Sequence, residues 1–320
     1  MRSIYMDSRW GNLQQEKENG EAITYTFKKN GTKIIYPFIK REAGIVDQNK
    51  YFDLVTPRGV CGPWIEDFDE KNVKELVSEF NDEFSHFCTK ENIIAEFIQF
   101  SPWLNHSSFF NSIYQIRPYG IRYCTDLTID FFNNEYSSKL RNAIRKAEKN
   151  GVQIIIENPN KDVIGDFLKL YSFIESKYKV SGYYTLNESY LNYFVHAFSD
   201  KIVFASAMYE GKVISSTINL LGEDIAHGIY AAHHPEYTSF QANSLLIYKL
   251  SLYAAEKGLK IFDLGGAKMD SPLEKYKRNY GKQYQYKVGT IIRNHEIYNI
   301  LVEQAGGNNK EYFPQYRSGS

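Results

Sequence analysis

Net charge is the first thing this sequence lacks. Its 38 Lys and Arg residues meet 38 Asp and Glu, so the formal charge at pH 7 is zero. Proteins that grip nucleic acid over a broad face carry a basic surplus. Its absence argues against that class and leaves room only for a local basic groove. Cysteine is scarce. Cys61, Cys88 and Cys124 stand far apart, with no CxxC spacing and no Cys/His cluster. That spacing argues against a structural zinc site and a disulfide framework, and predicts free thiols in a reducing compartment. No uninterrupted apolar run approaches the ~18 residues of a membrane span. The opening MRSIYMDSRWGN has no apolar stretch of signal-peptide length. These absences predict a cytoplasmic chain with no membrane span and no metal.

What is present is a core and a clear order of elements. The chain has 320 residues, 43% hydrophobic and 24% charged, enough for two domains or one large one. Asn30-Gly31 between Ala22–Lys28 and Lys33–Lys40 marks a hairpin. Val73, Leu76, Val77, Phe80, Phe84 and Phe87 give Val73–Lys90 a helical period. Ile93–Phe100 and Tyr123–Ile129 read as strands. A helix is predicted over Asn133–Asn150, stopped at Gly151, then a strand over Val152–Glu157. Asp162–Tyr178 and Asn187–Phe198 read as helices. Three strands follow, Ile202–Tyr209, Val213–Leu221 and Ile225–Ala232. Gln241–Lys257 is a helix closed by Gly258, and Lys260–Leu264 a short strand. Tyr284–Ile292 alternates, and His295–Glu303 is a last helix.

Both halves run meander, long helix, further strand, in that order. This predicts an α/β chain of mixed sheets, built as two duplicated units with a cleft between them. The expected divisions are 1–132, 133–305 and a flexible tail, 306–320, with the join near Asp130–Ser137.

Three stretches in the right order carry a resemblance. LRNAIRKAEKNGV (Leu140–Val152), HGIYAAHHPEY through KIFDLGG (His227–Gly266) and YKRNYG (Tyr276–Gly281) together resemble the Fem-type transferases. Those are two-unit proteins of GNAT-like fold that add amino acids to peptidoglycan precursors. YFDLVTPRGVCGPW (Tyr51–Trp64) is similar to a branch encoded with cell-surface polysaccharide pathways. The resemblance spans most of the chain. It implies an N-acyltransferase whose acceptor is a nucleotide- or lipid-linked sugar or peptide precursor. The donor it implies is acyl-CoA or aminoacyl-tRNA, the latter making tRNA a partner. One departure separates the chain from ordinary GNAT proteins. The loop whose glycines hold the coenzyme A pyrophosphate reads Thr238–Ser244 here, with no glycine. A non-catalytic binding module on the same frame is therefore a second reading.

Candidate site residues gather near the carboxyl ends of the second-half strands, where ligands of α/β sheets collect. Asp263, before Gly265 and Gly266, is either a strand-ending turn or a catalytic carboxylate beside open backbone. Lys277 and Arg278, between Tyr276 and Tyr280, form either a solvated face or a phosphate grip. Arg141 and Arg145 lie with Lys149 on one helical stripe, exposed or anion-binding. Tyr230 closes a strand. Asn243 stands near a helix start and can cap it or bind substrate. His233 and His234 invite the role of general base, and an extended chain points at most one of them into a site. Direct transfer follows, since no Ser/His/Asp elbow or Cys/His pair is visible for a covalent acyl-enzyme.

Overall fold

The computed structural model describes residues 1–178, 185–307, 309 and 311–318. The chain forms two compact units. One comprises Tyr5–Gly120 with Gln285–Ser320, and the other Ile121–Tyr284 with Met1–Ile4. In the first unit, α1 (Ser8–Gln14) precedes β1 (Gly20–Lys29) and β2 (Thr32–Val46). Asn30 (φ 50°) and Gly31 (φ 85°) both take the left-handed conformation that a tight hairpin needs. β3 (Asn49–Val55) and β4 (Trp64–Glu66) both pair with β2. α2 (Val73–Lys90) buries Val73, Leu76, Val77, Phe80, Phe84 and Cys88, a stripe at helical spacing. β5 (Ile93–Gln99) then runs parallel to β3.

β6 (Gln115–Asp126) leads into the second unit, followed by α3 (Phe131–Asn134) and α4 (Ser138–Lys149). The single predicted helix over 133–150 is thus two, because Ser137 caps α4 by accepting from the Leu140 amide. β7 (Gln153–Glu157), α5 (Lys161–Tyr178) and α6 (Glu188–Ala197) come next. The meander is β8 (Ile202–Tyr209), β9 (Lys212–Leu221) and β10 (Ile225–His233). α7 (Ala242–Glu256), β11 (Ile261–Gly266) and α8 (Pro272–Lys277) follow, then β12 (Lys282–Ile292) and α9 (His295–Gln304). α7 buries Leu245, Leu246, Leu250 and Ala254 in one core with Leu140, Ile144 and Ala147 of α4.

The two units share one topology. Strand order is β1-β2-β3-β5-β12 in the first and β7-β8-β9-β10-β11-β6 in the second. In each, an antiparallel meander is followed by a helix and a parallel strand, and an antiparallel strand closes the row. That closing strand comes from the other half of the sequence. β6 follows β5 in the chain yet pairs with β11, and β12 follows β11 yet pairs with β5. A buried ion pair fastens each exchange. Arg122 of β6 holds Asp263 of β11, and Arg293, one residue past β12, holds Glu96 of β5. The predicted duplication and mixed α/β class are therefore observed. The divisions differ from those read off the sequence and fall at 120/121 and 284/285, because element order cannot reveal exchanged strands.

The tail differs too. Tyr316 is buried, its hydroxyl donates to Asp53 at 3.0 Å, and Arg317 Nε reaches the same carboxylate at 2.6 Å. A polar stretch predicted to fray is held by a charge waiting in the core. Of the tail residues, 308, 310, 319 and 320 lie outside the described set.

Candidate active site

The site begins where two strands part. β10 pairs antiparallel with β9 on one side and parallel with β11 on the other. The parallel register covers only Ile225–His227 against Ile261–Asp263, although β10 runs on to His233. A bulge between Gly228 and Tyr230 breaks the register with β9 and adds local twist. Beyond the fork lies a cavity of about 820 Å³, lined from β10 by Gly228–Ala231 and His233, and from β11 by Phe262 and Leu264. All of its lining residues belong to the second unit.

α7 starts at this cavity. Its N-cap, Gln241, has φ 60° and ψ 25° and makes no side-chain capping bond. Ala242, Asn243 and Ser244, the first turn, line the cavity. Amides of a first helical turn favour anions. The loop has no glycine, yet Gln241 takes the left-handed conformation that a loop glycine would supply.

Asn243 does not cap the helix. Its Nδ2 donates to the Tyr276 hydroxyl at 2.8 Å, and that hydroxyl lies 2.5 Å from the Tyr280 hydroxyl. Burial raises the pKa of both phenols, so both hold their protons at neutral pH. Tyr276 lines the cavity, while Tyr280 is buried behind it. Asn243 Oδ1 is buried without a protein partner. The same is true of Asn219 Oδ1, on β9 at the cavity wall. The Asn219 amide nitrogen donates to Thr217 Oγ1 at 3.0 Å, which leaves the oxygen facing the fork. A Cβ at Gly228 would stand 3.9 Å from that oxygen and 3.8 Å from the Asp263 carbonyl. Buried carbonyl oxygens seek donors, so these two suit a ligand that brings N–H or O–H groups.

Five of the residues singled out in the sequence line this cavity: Tyr230, His233, His234, Asn243 and Lys277. Burial, and next the charge of Lys177, lower the His233 pKa and keep its imidazole neutral. Lys277 Nζ donates to the Gly266 carbonyl at 2.7 Å. Tyr230 packs edge-on against Tyr171 with ring centroids 6.0 Å apart.

Other candidates are placed elsewhere. Phe262 and Leu264 face the cavity, so strand alternation turns Asp263 to the opposite side of the sheet. There it is fully buried and takes hydrogen bonds from Arg122 Nε at 3.0 Å, His227 Nδ1 at 2.8 Å and the Gly265 amide at 2.8 Å. Burial alone would raise this carboxyl. The Arg122 charge and the His227 hydrogen bond outweigh it and hold the group below the ordinary carboxylate range. Asp263 is a structural hub behind the fork and does not line the cavity. Gly265 (φ 79°) completes the turn that accommodates it, and neither Gly265 nor Gly266 lines the cavity. Arg278 is committed to Glu274, Nη2 to Oε1 at 2.6 Å, because the two stand one helical turn apart. Arg141 donates to the Tyr136 carbonyl and to Ser138 Oγ, and Arg145 lies over the Phe132 ring at 5.6 Å. Neither lines the cavity.

Asn219 and Gly228 escaped the sequence reading, and Tyr276 entered it only as a neighbour of Lys277. The i,i+4 spacing of Tyr276 and Tyr280 was a usable signal, as was one Asn inside the apolar strand TINLL. Ser3 Oγ lies 2.9 Å from His227 Nε2, and no local signal foretold it across 224 positions. Ser3, His227 and Asp263 thus stand in the order of a hydrolase triad. All three are buried and none lines the cavity, so the array lacks the access a nucleophile requires.

Among the described residues, no group of three or more His, Cys, Asp or Glu could hold a metal ion. No helix among them is long and apolar enough to cross a membrane.

Residues 134–278, which contain the fork, the helix start and Tyr276, match the family model for the acetyltransferase (GNAT) domain. The chain is similar in structure to FemX, with a TM-score of 0.70 at 13% identity, covering 92% of this chain and 93% of that one. L-PGS from Bacillus licheniformis aligns at TM-score 0.58 and 15% identity, over 93% of this chain and 96% of that one. A C-terminal domain assigned to a lysylphosphatidylglycerol synthetase of Agrobacterium fabrum gives 0.57 and 14%, over 94% and 96%. At these identities the likeness shows the fold. A search of curated proteins finds no sequence match.

Proposed function

We propose that this protein transfers an acyl group to the amine of a sugar- or peptide-bearing precursor of the cell envelope, by direct attack. The observation that carries the reading is the cavity at the β10–β11 fork, with unpartnered Asn219 and Asn243 oxygens in its wall and the α7 start beside it. The donor, an acyl-CoA or an aminoacyl-tRNA, lies along β10 beyond Gly228, with its phosphates toward the first turn of α7. Neutral His233 takes the proton from the attacking amine. The amine nitrogen bonds to the acyl carbon and the acyl–sulfur or acyl–oxygen bond breaks. Tyr276 supplies the proton to the departing thiolate or alkoxide, and the proton that His233 took from the amine restores the phenol once the products leave. Lys277, at the same wall, faces the acceptor's phosphate. Leu273 lines the cavity while 52% exposed, which suits an acceptor on a lipid carrier.

Aminoacyl-tRNA as donor is favoured over a plain acetyl group by the two carbonyl oxygens, which an ammonium would satisfy. The name lysylphosphatidylglycerol synthetase, assigned to one protein of the same fold, speaks of a lysyl group and not an acetyl group. The test incubates the protein with acetyl-CoA, longer acyl-CoAs and charged tRNA, each with amino-sugar nucleotides and lipid-linked precursors, and weighs the products by mass. Failure of every donor to bind or react would leave the binding-module reading in its place.

A further inference from the structure

Three hydrogen bonds tie the segment Met1–Ile4 to the closed end of the fork, and the one made by Ser3 is buried. Asp224 immediately precedes β10, and Lys260 immediately precedes β11. Lys260 Nζ pairs with Asp224 Oδ1 at 2.7 Å, and the Lys260 amide donates to the Asp224 carbonyl at 2.8 Å. Onto this base the segment adds its own bonds. The Arg2 amide donates to Asp224 Oδ2 at 2.8 Å, and the Asp224 amide donates to the Arg2 carbonyl at 3.3 Å. One residue on, Ser3 Oγ meets His227 Nε2. His227 and Asp263 are the last pair in the parallel register, and their side chains bond to each other. Arg122 closes the array from β6. The last paired residues of two diverging strands are therefore joined through side chains on the face away from the cavity. One position later, Gly228 and Leu264 face into it.

We infer that Ser3 and His227, acting through Asp263, are positioning residues that fix the point at which β10 and β11 separate, and that Met1–Ile4 is in this sense part of the transfer site. Loosening this pin lets the parallel pairing fray by a residue or slide. Either shift moves Gly228 and the Asn219 oxygen relative to the first turn of α7. None of the pin residues touches substrate. The role in transfer rests on the donor lying in the fork, but the mechanical role does not.

Hydrogen–deuterium exchange on the full-length protein tests the pin without a ligand. Ser3→Ala should speed exchange at Gly228–His233 and Leu264–Gly266 several-fold, and leave β1–β3 unchanged. Ser3→Thr, which keeps the hydroxyl, should restore protection. Unchanged exchange in Ser3→Ala overturns the inference. So does a rise spread evenly over β7–β9 that Thr does not reverse, since that is a general loss of stability. With whichever of acetyl-CoA or charged tRNA turns over, Ser3→Ala should raise KM or lower kcat/KM by on the order of tenfold to a hundredfold. It should leave the acid limb of the pH profile in place, because His233 is untouched. If exchange responds as expected but neither donor reacts with the parent protein, the pin stands and the proposed transfer falls.

Discussion

At the scale of single residues, charge and burial separate the groups that hold the protein together from those that line the cavity. Asp263 sits beside Arg122 and His227 with no water to share the load. Asp263→Asn takes this carboxylate away from the buried guanidinium, and should destabilise the fold by about 3–5 kcal/mol in denaturant titration. The pH dependence has a definite sign. The folded carboxyl titrates below the unfolded value, so its contribution is complete above about pH 4. It is lost as pH falls through the lowered folded value, and the Asn variant should lack that acid-side loss. His233 works the other way. Its pKa is lowered, so the acid limb of kcat/KM should lie below the ordinary histidine value of about 6.5. His233→Gln should remove that limb and slow transfer by about a hundredfold or more. Tyr276→Phe should lower kcat most with the poorer leaving group, with little change in donor affinity.

Among the elements, α7 has two jobs. Its buried side carries the core, and Leu250→Ala should lower stability by about 2–5 kcal/mol through the cavity it leaves. Its start shapes the site through Gln241. A side chain in the left-handed region costs roughly 1–2 kcal/mol, so Gln241→Gly should leave Tm unchanged or raised and donor binding intact. A fall in binding would show that the Gln241 side chain itself contacts the donor. β10 teaches a related lesson. Its residues have ordinary strand propensities, and only the bulge at Gly228–Tyr230 together with the short register against β11 makes a cavity of it.

For the whole molecule, the decisive feature is the exchange of closing strands. Removing residues 285–320 should leave β5 without its antiparallel neighbour β12 and Glu96 without Arg293. The first unit should then lose exchange protection at Ile34 and Leu54, which are fully buried in the intact chain. If those amides stay protected, β12 is dispensable to that unit.

Local patterns fixed much of the rest. Asn30-Gly31 set a hairpin because few other pairs tolerate two positive φ angles. The apolar stripe of α2 set a helix because only a helix brings those side chains to one face. The order of elements sufficed for a duplicated α/β fold, and three of the polar residues singled out, His233, Asn243 and Lys277, line its cavity. Tertiary structure decided what spacing cannot hold. It determined which strand closes which unit, and it brought Ser3, His227 and Asp263 together from opposite ends of the chain. It also turned Asp263 away from the cavity, through the alternation of a strand whose neighbouring side chains, Phe262 and Leu264, claim the other face. Hydrogen bonds and burial act through space, and a linear sequence records only the residues available to make them.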